Sequence, residues 1–305
     1  MSKQMKGSLI LLLASVIWGF AFVAQSEGME TTGPFTFQAS RMLLAFLFLL
    51  PVSAIIHRIK TKRGTVPHKF LPAKLLWSAA ISGVFLFIAT SAQQVGMLYT
   101  SVGHAGFLTA LYLLIVPFLG IFLRRRLEIK HVVCVVIALV GLWFLCMTNE
   151  GFSMNIGDLL MLVSALFFSF QILSLDILSK NFDGAQYSAI QMLTAGIMSL
   201  ACTLIFEEPT VSGIVAAGIP IAYAGIMSCG VAYTLQIVGQ KDTHPTVASI
   251  IMGFESVFAV LGGALILLEI PTKYEYLGCA LMFAATVISQ IDFKALKNVV
   301  VKVKK

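Results

Sequence analysis

Charge is scarce in this chain. Asp, Glu, Lys and Arg make up 11% of its 305 residues, against 58% hydrophobic, whereas a soluble domain is about 25% charged. That shortage excludes an ordinary water-soluble fold. The apolar runs also lack the short, turn-bounded alternation of an outer-membrane barrel, which excludes strands as the spanning element. Long polar stretches are missing too, so there is no material for an extramembrane domain. The five cysteines (Cys134, Cys146, Cys202, Cys229 and Cys279) sit inside apolar runs without the paired spacing of a disulfide framework or metal site, and read as small packing residues. The five histidines (His57, His68, His104, His131 and His244) are scattered without metal-ligand spacing. No Ser/His/Asp set is readable. The sequence therefore offers no catalytic residue, no metal site and no cofactor, and an enzyme is not expected. A filter-like segment or ring of charges, as a channel would need, is absent as well.

What the chain does have is apolar length. A helical span needs roughly 20 apolar residues, and ten stretches answer to that: 7–25, 35–57, 75–97, 101–123, 131–148, 158–179, 184–206, 213–238, 246–268 and 274–291. The first follows Lys3 and Lys6 as a signal peptide would, but it is longer than a usual h-region and Phe22-Val23-Ala24 is a poor cleavage site. It reads as a retained helix. The expected fold is an all-α, multi-pass protein of the cell (inner or plasma) membrane.

The basic residues set the expected topology. Nineteen of the 21 Lys and Arg fall at the N-terminus, in every second connection and at the C-terminus; Lys273 lies in the opposite set and Arg41 inside a span. The positive-inside rule then places both termini in the cytoplasm. Glu27, Glu30, Glu150, Glu207, Glu208 and Glu275 mark the other side. A net charge of +7 distributed in this way points to lipid and not to nucleic acid, and the tail 292–305 reads as a topology anchor first and a ligand for anionic lipid second.

The chain also repeats itself. An offset of 150 aligns Gly7 with Gly157, Leu9 with Leu159, Leu12 with Leu162 and Phe20 with Phe170, and carries on through Ala39, Met42, Leu43, Ala45 and Leu50 onto Ala189, Met192, Leu193, Ala195 and Leu200. Beyond the basic loop the offset is 143, matching Val95-Gly96 to Val238-Gly239, Thr100 to Thr243, Ala105 to Ala248 and Gly120 to Gly263. Apolar sequences match by accident easily; the register held across spans is the evidence. The two repeats are 7–148 and 157–291. Five helices is an odd number, so the second copy enters the membrane from the opposite side, the 5+5 inverted-topology arrangement of secondary transporters, with a site expected at the midplane between halves.

On these residues the sequence resembles the drug/metabolite transporter superfamily, specifically its ten-helix EamA-type members. The resemblance rests on Ala14-Ser15-Val16-Ile17-Trp18-Gly19, on Arg41, on the stretch from Tyr99 to Leu108 and on Leu268-Glu269. It implies a central cavity and small substrates such as amino acids, related metabolites or drugs, commonly exported. One departure is Arg124-Arg125-Arg126, with Glu128 beyond it, where the family often has a Gly-Glu pair.

Polar groups at membrane depth are the candidate site. Arg41 lies about 9 Å inside its span, where an ionisable group costs about 2.5–3.5 kcal/mol on insertion scales. It reads either as a clamp for a substrate carboxylate or as a group satisfying helix-end carbonyls. Glu255, about 13 Å deep, is the candidate proton-coupling or cation-binding group, against a structural hydrogen bond to a neighbouring helix. The two sit at different depths, so they pair directly only with tilt. Under the repeat Arg41 corresponds to Gln191 and Glu255 to Tyr112. Gln38, Gln93, Gln94, Gln171, Gln191 and Gln236 suit either a cavity that binds a zwitterion or interhelical hydrogen bonding. Trp18 is mid-span, away from the interfacial belts, and reads as cavity lining or as packing. His104 near the outer mouth reads as a titrating group or as a helix cap. The leading function is transport of a small polar metabolite, above all amino acid export by alternating access with Glu255 as proton carrier. A sugar-phosphate or nucleotide-sugar exchanger would need several buried cations, and a non-transporting scaffold would show no flux. Oligomeric state is not legible in the sequence.

Overall fold

The computed structural model describes residues 3–62, 70–99, 102–124, 129–145, 155–266 and 272–290. The basic tail 292–305, Leu268-Glu269, Arg125-Arg126, Glu128 and the side chain of His104 lie outside the described residues.

Every described element is helical: α1 Lys3–Met29, α2 Pro34–Lys62, α3 Ala73–Gly96, α4 Val102–Ala110, α5 Tyr112–Phe122, α6 Ile129–Leu145, α7 Ile156–Leu178, α8 Gly184–Phe206, α9 Val211–Ala216, α10 Gly218–Ala222, a π-helical segment Tyr223–Ala232, α11 Tyr233–Gln240, α12 Pro245–Met252, α13 Glu255–Ile266 and α14 Lys273–Gln290. Among the described residues seven segments are long and apolar enough to cross a membrane, with three shorter apolar stretches at Leu108–Phe122, Ile129–Phe144 and Tyr276–Ser289. Large apolar side chains such as Trp77, Phe122 and Ile219 face outward. In water that would be costly; in lipid it is the stable arrangement, because each helix satisfies its own backbone.

The helix ends follow their sequence. Asn155 and Asp158 form a reciprocal capping box at the start of α7, each side chain accepting from the other's backbone N–H at 3.0 Å. Asp183 caps α8, and Pro245 occupies the first turn of α12, where its missing N–H costs nothing.

Three predicted stretches are not single continuous α-helices. The fourth breaks at Leu111 into α4 and α5, and the ninth breaks at Gly253-Phe254 into α12 and α13. At both breaks the ladder tightens to an i→i−3 bond: Leu111 N donates to Leu108 O at 3.3 Å, and Phe254 N to Ile251 O at 3.1 Å. Donor and acceptor are each related by the offset of 143. The eighth stretch is divided among α9, α10, the π segment and α11. Apolar periodicity does not report such breaks, because hydropathy is unchanged while the hydrogen-bond partner shifts.

Packing follows the repeat. α2 lies along α8, α6 along α14, and α3 along α7, while α1 crosses α13, the π segment and α11. α2 and α8 are antiparallel: the Glu207 carboxylate accepts from Phe35 N and Thr36 N at the start of α2, both at 2.8 Å, and Lys60 near the end of α2 pairs with Asp183 at the start of α8. Two glycine crossings are exchanged between the halves. A Cβ on Gly7 would lie 2.7 Å from Gly239 O, and one on Gly157 would lie 2.8 Å from Gly96 O. These are the same two aligned pairs, with partners swapped.

The π segment explains a one-residue change of register. A Cβ on Gly83 would lie 2.9 Å from the Gln191 carbonyl oxygen, and one on Gly225 would lie 2.9 Å from that of Arg41. Gly83 and Gly225 are 142 apart, Gly96 and Gly239 are 143 apart, and the segment 223–232 contains Gly225 and runs on toward Gly239. Its wider i→i+5 turns absorb the extra residue.

Candidate functional site

A pocket of about 520 Å³, open volume at its mouth included, lies between the two halves. Its lining is drawn from α1, α2, α3, α4, α5, α7, the π segment, α11, α12 and α13. The broken helices supply its centre. Tyr112 is the first residue of α5 and Glu255 the first of α13, and the Tyr112 hydroxyl donates to Glu255 Oε1 at 3.0 Å. The residues matched by the repeat thus touch each other, so the bond lies on the pseudo-two-fold axis relating the halves.

Arg41 reaches the pocket from α2. It is 3% exposed, its Nη1 donates to Gln25 Oε1 at 2.6 Å, and its guanidinium lies 5.6 Å from the centre of the Phe37 ring. Its Nε has no hydrogen-bond partner among the described residues, and neither does Trp18 Nε1. Among those residues Arg41 makes no ion pair, so its only polar partner is a neutral amide. Two buried donors at one pocket therefore await acceptors.

Aromatic rings and amides complete the wall. Trp18 meets Tyr233 edge-on at 4.9 Å, and Tyr112 meets Phe168 edge-on at 6.5 Å. Gln171 and Gln236 exchange amide hydrogen bonds at 3.3 and 3.2 Å, and Gln93 Nε2 donates to Thr109 Oγ1 at 3.2 Å. Gly19 beside Trp18 is steric in purpose: a Cβ there would lie 2.7 Å from the Phe258 carbonyl carbon, so α1 and α13 could not cross as they do.

The structure brings Trp18, Arg41, Tyr112, Gln171, Gln236 and Glu255 to this pocket, and leaves three of the expected residues out. Gln38 Nε2 donates to Ser91 Oγ and Ser199 Oγ, both at 2.9 Å, binding α2 to α3 and α8. Gln94 Nε2 contacts Met29 Sδ at 2.7 Å. Gln191 is fully buried with neither amide atom partnered among the described residues. An amide at membrane depth is equally useful as interhelical glue, so residue type alone does not separate the two roles. Gln93, another of the expected amides, also lines the pocket, whereas Gln25, Phe168 and Tyr233 are lining residues that reasoning from residue type missed. The repeat carried a signal for one of these: Phe168 is the counterpart of Trp18 at offset 150.

At the end of α2 polar contacts tie neighbouring elements together. Besides the Lys60–Asp183 pair, Lys241 Nζ donates to Phe182 O, and Gln186 Nε2 donates to Phe70 O at 3.0 Å. Burial holds the Lys241 ammonium below its usual range, with the nearby Asp183 carboxylate opposing that shift. Among the described residues no group of three His, Cys, Asp or Glu side chains could hold a metal ion.

Comparison with known proteins agrees with this architecture. The family model described as the EamA-like transporter family matches residues 5–147 and again 155–290. An uncharacterized transporter of Archaeoglobus fulgidus is 29% identical over 293 residues, covering 94% of this chain and 86% of that protein. The uncharacterized transporter YoaV of Bacillus subtilis is 24% identical, covering 97% of this chain and 100% of its own. The uncharacterized inner membrane transporter YedA of Escherichia coli K12 is 25% identical over 90% of this chain and 87% of its own. A solved crystal structure, 19% identical, superimposes with a TM-score of 0.76 over 93% of this chain and 96% of that one, a likeness of fold.

Proposed function

From the premise that the chain belongs to the EamA-like transporter family, and is therefore a multi-pass membrane transporter, we propose that it exports an amino acid or a related small metabolite by alternating access, driven by protons carried on Glu255. The observation that carries this reading is the Tyr112–Glu255 hydrogen bond: it joins the broken ends of two helices, one from each repeat, inside a pocket that both repeats build. Broken helices meeting at a repeat interface are where transporters hold substrate and coupling ion, because freed polar groups there are served by the cavity.

The proposed architecture is ten crossings in a 5+5 inverted bundle with both termini cytoplasmic. Among the described residues, seven helices long and apolar enough to span and three shorter apolar ones agree in number with that reading, and the exchanged glycine contacts support two halves of opposite sense. The proposed substrate contacts are Arg41 for a carboxylate and Trp18, Tyr112, Gln171 and Gln236 for the rest of the molecule. Among the described residues Arg41 is the only Lys or Arg lining this pocket, which disfavours a phosphate-bearing substrate.

The test is flux of radiolabelled L-amino acids in proteoliposomes under an imposed pH gradient. Glu255→Gln is expected to abolish gradient-driven flux, at least tenfold, while leaving yield and monodispersity intact. Unchanged coupling in that variant removes the proton role of Glu255. No flux of any probe by the wild-type chain removes the export reading.

A further inference from the structure

Arg41 and Gln191 occupy equivalent places in the two repeats, but only Arg41 reaches the pocket. Each stands seven residues after the first residue of its helix, Pro34 or Gly184. Because α2 and α8 are antiparallel, the two residues are displaced toward opposite faces. At 1.5 Å per residue the separation along the pair is roughly 15 Å. Their backbones are served alike, each carbonyl meeting a glycine of the crossing helix, Gly225 for Arg41 and Gly83 for Gln191.

Their side chains are not served alike. Gln191 is 0% exposed, and neither Nε2 nor Oε1 has a partner among the described residues. Ser188, also 0% exposed, leaves its hydroxyl unpartnered in the same way. A spacing of three puts both on one face of α8. Buried polar atoms in folded proteins are almost always hydrogen-bonded, so a patch of three such atoms on one helix face calls for a state in which they are used.

We propose that Gln191, with Ser188 beside it, lines the substrate path in the opposite conformation, holding there the place that Arg41 holds in this one. This rests on the alternating-access reading above. The chemistry of the two places differs. A neutral amide that both donates and accepts replaces a guanidinium that only donates. Substrate arriving from the face of Lys60 and Asp183 therefore meets an uncharged polar wall, and its anionic group gains a cation only after the halves exchange.

The test uses full-length chains with the five native cysteines replaced by alanine, each carrying one of Gln191→Cys, Ser188→Cys or Arg41→Cys. They are probed in right-side-out and inside-out vesicles with a charged, membrane-impermeant methanethiosulfonate. Gln191→Cys and Ser188→Cys are expected to react at least tenfold faster from the face of Lys60 and Asp183, and Arg41→Cys at least tenfold faster from the other. The Ser188 variant changes one atom, which guards against loss of folding at Gln191. If Arg41→Cys reacts while both α8 variants stay silent from either face, or react equally from both, the inference is overturned and the transport reading stands. If none of the three reacts from either face, no wet path exists and both fall.

Discussion

At the scale of the residue, the pocket holds one buried guanidinium and one buried carboxyl that do not form an ion pair. Arg41 donates from Nη1 to a neutral amide while its Nε has no partner among the described residues, and Glu255 accepts from a phenol. A direct Arg–Glu pair would neutralise both and leave nothing for a ligand or proton to change; separated, each group stays available for its own partner. Arg41→Ala is expected to weaken carboxylate-bearing probes by about tenfold or more, since a charge-assisted hydrogen bond contributes about 1.5–3 kcal/mol, and to weaken cationic drugs much less. Competition against labelled flux measures both, and equal loss in the two classes would assign Arg41 a folding role instead. Arg41, Glu255 and Trp18 were visible in the sequence because charge or indole at membrane depth is rare. Phe168 and Tyr233 were not visible by type, since a chain with 11% aromatic residues gives no reason to select two of them. Gln38 and Gln94 went the other way, their amide nitrogens being used by neighbouring helices.

At the scale of the element, helix crossings rather than single bonds hold the halves. Gly7→Val and Gly157→Val each drive a side chain into a facing backbone carbonyl, and each is expected to destabilise by about 1–3 kcal/mol. Thermal unfolding in detergent reads this as a lower midpoint and poorer monodispersity. Gly218→Ala is the control, because nothing lies within 4 Å of its added Cβ. Similar behaviour of Gly7→Val and the control would mean that the crossing does not carry stability. The π segment makes a separate expectation. Deleting Met227 brings the Gly225–Gly239 spacing into line with Gly83–Gly96 and is expected to leave a monodisperse, folded protein. One residue deleted between Gly83 and Gly96 turns a crossing by about 100° and is expected to prevent folding. The reverse ranking would show that the extra residue is structural.

At the scale of the whole molecule, the exchange of equivalent glycine contacts between halves is the feature on which the proposed alternating access rests. Two bundles that pack the same way from opposite sides can swap their open and closed ends at little net cost. That arrangement requires both chain ends on one side of the membrane. Tags at the N- and C-termini are expected to be protected in intact cells and to become reactive together on permeabilisation. Tags on different faces would break the inverted pairing and with it the transport reading.

The sequence by itself determined the solvent of this protein and carried the two offsets and the places of the rare charged residues along their apolar runs, because hydropathy, spacing and order are properties of the chain. Only the tertiary structure decided where helices break, which amides face the pocket and which are consumed between helices, and that Tyr112 meets Glu255 on the axis between the repeats. A break shifts a backbone hydrogen bond without changing composition, and the facing of a side chain depends on the helix packed against it. Neither leaves a mark in residue type.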